Sequence, residues 1–300
     1  KYCRKGEGWF MKQPELRPGL KEKKRKKRAV NFFVYSCLLV LSIIFLFPII
    51  WLLSNSLKSM EQIFAFPPVF FSGKLHWENF KEAFTFNSLP FGKFLLNSLY
   101  ITILSMIGSV MSSALIAFGF SRVKWRGRDI IFYVVIITMI IPQEVLITPQ
   151  FMLYNNLSLL DTYVPIILPW FFGKPFYIFI LRQFMMGIPR ELDESAKIDG
   201  CSIMQLFWKI ILPQSKASLI AVAIYALQDQ WNNYLEPMVF INTLEKLPVS
   251  VGLSYFSSMY STQWQLVSAA AVIVALPLLI LFLFLQKYFI QGVVVSGVKG

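Results

Sequence analysis

Glu191 to Pro213, ELDESAKIDGCSIMQLFWKIILP, is a charged, amphipathic stretch lying between two long apolar segments. Its spacing predicts two short helices around a turn. Pro189 suits the first turn of a helix, where its missing N–H costs nothing. Good helix formers run from Arg190 to Asp199, and Gly200 supplies a left-handed stop. Ser202, with Gln205 three residues on, matches a capping box and starts a second helix. Ile203, Leu206, Phe207, Ile210 and Ile211 then form a single apolar stripe at helical spacing, which Pro213 is expected to end. On its own, the stretch is either a hairpin lying on a membrane or a surface presented to a partner.

Working outward, the 300-residue chain is 56% hydrophobic and 16% aromatic, with a mean hydropathy of +0.58. That exceeds the apolar share of soluble domains and marks an integral membrane protein. Val30 to Leu53 carries no charge and measures about 36 Å as a helix, enough to span a bilayer. Pro48 is expected to kink it. Five further spans follow at about residues 94–120, 130–147, 163–181, 217–233 and 267–285. The fourth is broken by Pro165, Pro169, Gly173 and Pro175. Gly108 with Ser112, and Ser109 with Ser113, place small residues four apart in the second span, where they allow close helix approach. Residues 54–92 read as a water-exposed loop with a short helix over WENFKEAF. The expected fold is therefore an all-α membrane protein of six transmembrane helices, preceded by a mobile basic tail over residues 1–29. Met11 is a candidate start, as is a residue upstream of it.

Charge orients the chain. Of the 29 Lys and Arg residues, twelve precede Val30, four lie in the turn from Arg122 to Arg128, five lie between Arg182 and Lys216, and two follow Gln286. The opposite loops hold five, and Lys174 is the remainder. By the positive-inside rule both termini and the Glu191–Pro213 loop (188–213 with its lead-in) are cytoplasmic. The net charge of +13 is thus a membrane anchor, not a nucleic-acid surface. Cys3, Cys37 and Cys201 are scattered, and His76 is the only histidine, so neither a disulfide framework nor a metal site is expected. No nucleophile–base constellation appears, and no catalytic residue is assigned.

Glu194-Ser195-Ala196, Gly200 and Ile210-x-Leu212-Pro213 resemble the EAA motif of ABC importer permeases, E-A-A-x-x-x-G-x(9)-I-x-L-P, with Ser195 the one departure. LSLLDTYVPIILP, QWNNYLEPMVF and the closing QKYFIQGVVVSGVKG are similar to carbohydrate-importer permeases of the MalG type. The resemblance implies a subunit that forms half of a sugar pathway beside a MalF-like permease. Two cytoplasmic ATPase subunits would bind ATP and magnesium, and an extracellular sugar-binding protein would deliver the solute, most often an oligosaccharide. This chain would bind no cofactor itself, and it carries no G-x-x-x-x-G-K-[ST] loop. The cell membrane of a bacterium or archaeon is implied. So is an ATPase-coupling loop made of Glu191, Glu194, Ser195, Ala196, Asp199, Gly200, Ile210, Leu212 and Pro213. A C-terminal ATPase contact would use Ser296, Gly297, Lys299 and Gly300.

Polar groups inside spans are costly and usually face a cavity or another helix. Asn97, Glu144, Lys174, Gln228, Asp229, Trp231 and Asn232 are therefore candidates for the translocation path. Glu144 and Lys174 have the alternative of reaching water at the outer interface. Trp231 and Tyr234 either stack on sugar rings or sit as belt aromatics. A secondary transporter and a non-transporting membrane scaffold are the rival classes.

Overall fold

The computed structural model describes residues 18–70, 73–86, 89–256 and 262–297, and the regular elements among them are helices. Two compact units, residues 1–51 and 52–300, divide the chain. α1 (Pro18–Ser56) begins inside the basic stretch and carries Pro48 in its interior. Helix therefore occupies residues expected to be an unstructured tail; Lys and Arg are good helix formers.

In the second unit α2 (Met60–Ile63) and α3 (Glu78–Thr85) lie in the first loop. Asn79 Nδ2 ties this loop together by donating to the carbonyls of Ser56 and Lys58 at 3.0 and 2.9 Å. α4 (Phe91–Ser121) is the central span, about 46 Å long at 1.5 Å per residue. α8 (Pro175–Met186) and α12 (Lys216–Trp231) pack along it.

The third expected span is not straight. α5 (Arg128–Ile137), with a 3-10 turn over Thr138–Ile140, meets α6 (Gln143–Asn156) at an angle of 96°. Pro142 stands at the break, where its extended backbone and missing N–H stop the helix. The fourth span is interrupted as its prolines indicate. α7 (Val164–Ile167) passes into a 3-10 segment over Leu168–Phe172 before α8 resumes. That segment rests on the small residues of α4. A Cβ on Gly108 would come within 2.5 Å of the Phe171 ring, and Ser112 Oγ donates to the Trp170 carbonyl at 3.3 Å.

α9 (Glu191–Ile198) and α10 (Ile203–Leu206) bracket Gly200. A π-helical segment, Phe207–Ile211, leads into α11 (Leu212–Gln214), and a 79° bend at Ser215 opens α12. Two local expectations change here. Pro189 precedes the N-cap Arg190 and so lies before the helix. Pro213 does not end the helix but sits in α11, after backbone bonds that the π segment has already shifted by one residue. α13 (Leu235–Phe240), α14 (Val249–Gly252) and α15 (Trp264–Gly297) complete the unit, α15 running well past the Leu285 expected to end the last span.

The buried core forms two clusters. One joins Phe118, Tyr177, Met185, Phe207 and Ile211. The other joins Phe91, Phe94, Trp231, Phe240 and Phe256. α4 contributes to both, one at each of its ends.

Candidate functional site: the exposed loop and the polar cluster

The loop from Glu191 to Pro213 is fixed from within. Gly200 adopts φ +77°, a conformation that favours glycine, and so turns the chain between α9 and α10. Ser202 and Gln205 complete a reciprocal capping box: the Ser202 amide donates to Gln205 Oε1 at 2.8 Å, and the Gln205 amide donates to Ser202 Oγ at 3.3 Å. Beyond the turn, Leu206, Phe207 and Ile211 are buried, and the rings of Phe207 and Phe118 lie 5.1 Å apart. Ile203, the first residue of the expected stripe, stays exposed.

α9 presents its outer face. Glu191, Glu194, Ser195 and Asp199 are exposed, while Ala196 faces the core. Ile198 is 87% exposed, and Met204 and Trp208 are exposed as well. Asp193 turns inward instead. Arg122 Nη1 donates to its Oδ2 at 3.1 Å, and Arg122 Nη2 donates to the carbonyls of Met185 and, at 2.7 Å, Ile188. The side chains of this pair are 2% and 11% exposed. Neither residue was among the expected site residues. The pairing spans 71 positions, and nothing in the local sequence sets Asp193 apart from its acidic neighbours.

Several of the expected path residues do come together. Tyr177 donates its hydroxyl proton to Asp229 Oδ2 at 2.5 Å. Lys174 Nζ lies 3.6 Å from the Trp170 ring centroid. Glu236 is buried and accepts from Gln143 Nε2 and, at 2.6 Å, from Asn233 Nδ2. Glu236, Gln143, Asn233 and Tyr177 thus extend the set, joining groups from α6, α8, α12 and α13. Gln228 and Asn232 are exposed, with Asn232 Nδ2 donating back to the Gln228 carbonyl.

Other members of the list lie elsewhere. Asn97 Nδ2 donates to the carbonyls of Glu245 and Leu247 at 2.8 and 3.0 Å, pinning a loop to α4. Glu144 is exposed in the first turn of α6. Trp231 is 4% exposed within the core, so its ring is packed against protein rather than open to a solute. Ser296 and Gly297 close the backbone of α15; Lys299 and Gly300 lie outside the described residues. No group of three or more His, Cys, Asp or Glu able to hold a metal occurs among the described residues.

Residues 109–295 match the family described as the binding-protein-dependent transport system inner membrane component. The chain is 35% identical over 269 residues to the arabinooligosaccharides transport system permease protein AraQ of Bacillus subtilis, covering 87% of this chain and 93% of that one. It is 30% identical over 276 residues to the sn-glycerol-3-phosphate transport system permease protein UgpE of Yersinia pestis, covering 90% and 98%. The chain belongs to this permease family. Its fold is shared with a bacterial ABC transporter involved in the import of the acidic polysaccharide alginate (TM-score 0.76, 23% identity, 88% of this chain and 98% of that one). A bacterial alginate ABC transporter in complex with its alginate-pentasaccharide-bound periplasmic protein shares it too (TM-score 0.62, 18% identity, covering 87% and 95%). Membership makes the chain a multi-pass transport permease rather than an enzyme, and it removes the motive for the secondary-transporter and scaffold readings.

Proposed function

We propose that this chain is one of two permease subunits of an ATP-driven sugar importer in the cell membrane of a bacterium or archaeon, with an oligosaccharide as the solute class. A MalF-like subunit supplies the other half of the pathway. Two cytoplasmic ATPase subunits carry ATP and magnesium, and an extracellular binding protein delivers the sugar. The observation that carries this reading is the exposed acidic face of α9 beside a rigid, doubly capped turn. It is a preformed surface exposed among the described residues. Lys and Arg cluster on the same side of the spans, so that side is cytoplasmic and both termini share it.

In this reading Glu191, Glu194, Ser195 and Asp199 meet the ATPase, with Ile198 and Met204 filling apolar space between them. Gly200 holds the turn, and Ile210, Leu212 and Pro213 set the entry into α12. The terminal Ser296–Gly300 segment makes a second ATPase contact. The sugar passes the exposed Gln228, Asp229 and Asn232, whose amide and carboxylate groups suit polyhydroxylated solutes, with the buried Tyr177 hydroxyl holding Asp229 from behind. The oligosaccharide assignment leans on the arabinooligosaccharide relative, with glycerol phosphate the chief competitor.

The test is mild-detergent purification from the native host, followed by mass spectrometry of what co-purifies. An ATPase subunit and a second permease are expected. Recovery of this chain alone, or only with copies of itself, would overturn the reading.

A further inference from the structure

The exposed face of α9 explains what the loop offers a partner. It does not explain how a push on that face reaches the spans. α9 is short, and its inward contacts are few: Ala196 is buried, and Asp193 meets Arg122. Arg122 is the C-cap of α4, its own amide donating to the Phe118 carbonyl at 2.9 Å. One helical turn back, Phe118 packs on Phe207, on the far side of the Gly200 turn. The last turn of α4 therefore grips both halves of the loop. It also grips the bend before α9, through the carbonyls of Met185 and Ile188. At its other end α4 holds a different loop: Asn97 donates to Glu245 and Leu247, and Ser98 Oγ accepts from the Val249 amide at 2.8 Å.

The Arg122 grip is strong and incomplete. Both side chains are almost fully out of water, which makes the loss of either partner expensive. Yet they meet through one N–H···O contact, and among the described residues Arg122 Nε and Asp193 Oδ1 are buried without a hydrogen-bond partner. A guanidinium and a carboxylate can form two parallel bonds. A small displacement of α9 along α4 can exchange one arrangement for another without breaking the pair. Such a link transmits force while allowing a second register.

We propose that Arg122, through Asp193, is the positioning residue that passes movement of the loop into α4, so that α4 carries it as a rigid rod to the loop around residues 245–249. The proposal rests on the importer reading above.

The experiment uses the complete complex, purified and reconstituted, with the native cysteines replaced by serine and Lys93→Cys placed at the far end of α4. Labelling of that cysteine by a membrane-impermeant maleimide is compared with and without ATP–orthovanadate trapping. Trapping is expected to change the labelling rate at least fivefold in this background. Asp193→Asn should reduce the change to less than twofold in complexes that still assemble and hydrolyse ATP, and Asp193→Glu, which keeps both charges, should restore at least half of it. A purely structural role would lower the yield of complex and leave the response of the surviving complexes intact, and that result overturns the proposal. If Asp193→Asn does not assemble, Arg122→Lys carries the test, because lysine keeps the charge but lacks the fork that holds Asp193 and the Met185 and Ile188 carbonyls together: loss of the trapping response supports the proposal, and a full response overturns it. Failure to recover any ATPase with the unsubstituted chain would instead overturn the importer reading. A normal ATPase with no change in labelling of the Lys93→Cys thiol would overturn α4 as the rod.

Discussion

α4 is held by charged or polar side chains at both ends, and the two grips are built differently. At the Arg122 end the ion pair with Asp193 is buried, and the same guanidinium caps two carbonyls. At the Asn97 end the carbonyls on either side of Lys246 are pinned by a neutral amide. The ion pair there, Lys246 Nζ to Asp161 Oδ2 at 2.7 Å, is 43% and 29% exposed. Asp161 also accepts from the amides of Asn242 and Thr243 and from the Thr243 hydroxyl at 2.6 Å. The first grip concentrates its bonds on one buried side chain, whereas the second spreads them over several groups in contact with water. A concentrated grip suits a joint that transmits force. A distributed one suits a loop that must hold its shape while tolerating local change.

The sharpest way to break this comparison is to remove one cation from each end. Arg122→Met leaves Asp193 buried and unpaired and two carbonyls without their donor. A loss of about 3–5 kcal/mol is expected. It should be read as a large fall in the yield of assembled complex and in its thermal midpoint. Lys246→Ala leaves Asp161 with three remaining donors and ready access to water, so about 1 kcal/mol or less is expected from the same measurements. Equal losses at the two sites would mean that burial does not distinguish them.

A second pair of substitutions separates shape from contact within the loop. Gly200→Asp imposes a side chain on a φ of +77° and should cost about 1–2 kcal/mol locally. Glu194→Lys alters an exposed charge and should cost almost nothing in stability. Both are expected to abolish uptake by the assembled importer while leaving the chain inserted in the membrane. Uptake at the unsubstituted rate in either variant would remove α9 from the coupling path.

What the sequence discloses follows the range of the interaction. The Gly200 stop and the Ser202–Gln205 box are read within four residues, and both bonds of the box are formed. The breaks at Pro142 and in the fourth span carry their own markers, but the 96° turn at Pro142 does not: α5 packs on α4 and α8 and α6 on α13, neighbours that no local spacing names. Arg122 counts toward topology in a charge inventory. Only the fold brings it against Asp193, 71 residues away, and reveals that one of four basic residues in its turn is buried. Trp231 shows the converse. An aromatic at the end of a polar-tipped span has the composition of a solute platform, and packing against the Phe91 and Phe240 cluster assigns it to the core.

The smallest expected effect is also the most specific to the exposed end. Lys246, the Thr243 hydroxyl and the backbone amides hold the Asp161 carboxyl well below the ordinary carboxylate range. A carboxylate depressed in this way contributes its full stabilisation above the unfolded-state value, about 3.9 for Asp, and loses it only as pH falls through the lower folded-state value. Exposure and screening keep that contribution below about 1 kcal/mol. Hydrogen-exchange protection of the Asn242 and Thr243 amides, corrected for intrinsic rate, should therefore stay level from pH 7 to pH 5 and decline only below about pH 4. Asp161→Asn should lower it and flatten its pH dependence. A decline already between pH 7 and pH 5 would require a group of higher pKa to be holding the loop. The distributed grip would then depend on a titrating residue other than Asp161, and the contrast between the two ends of α4 would have to be redrawn around that residue.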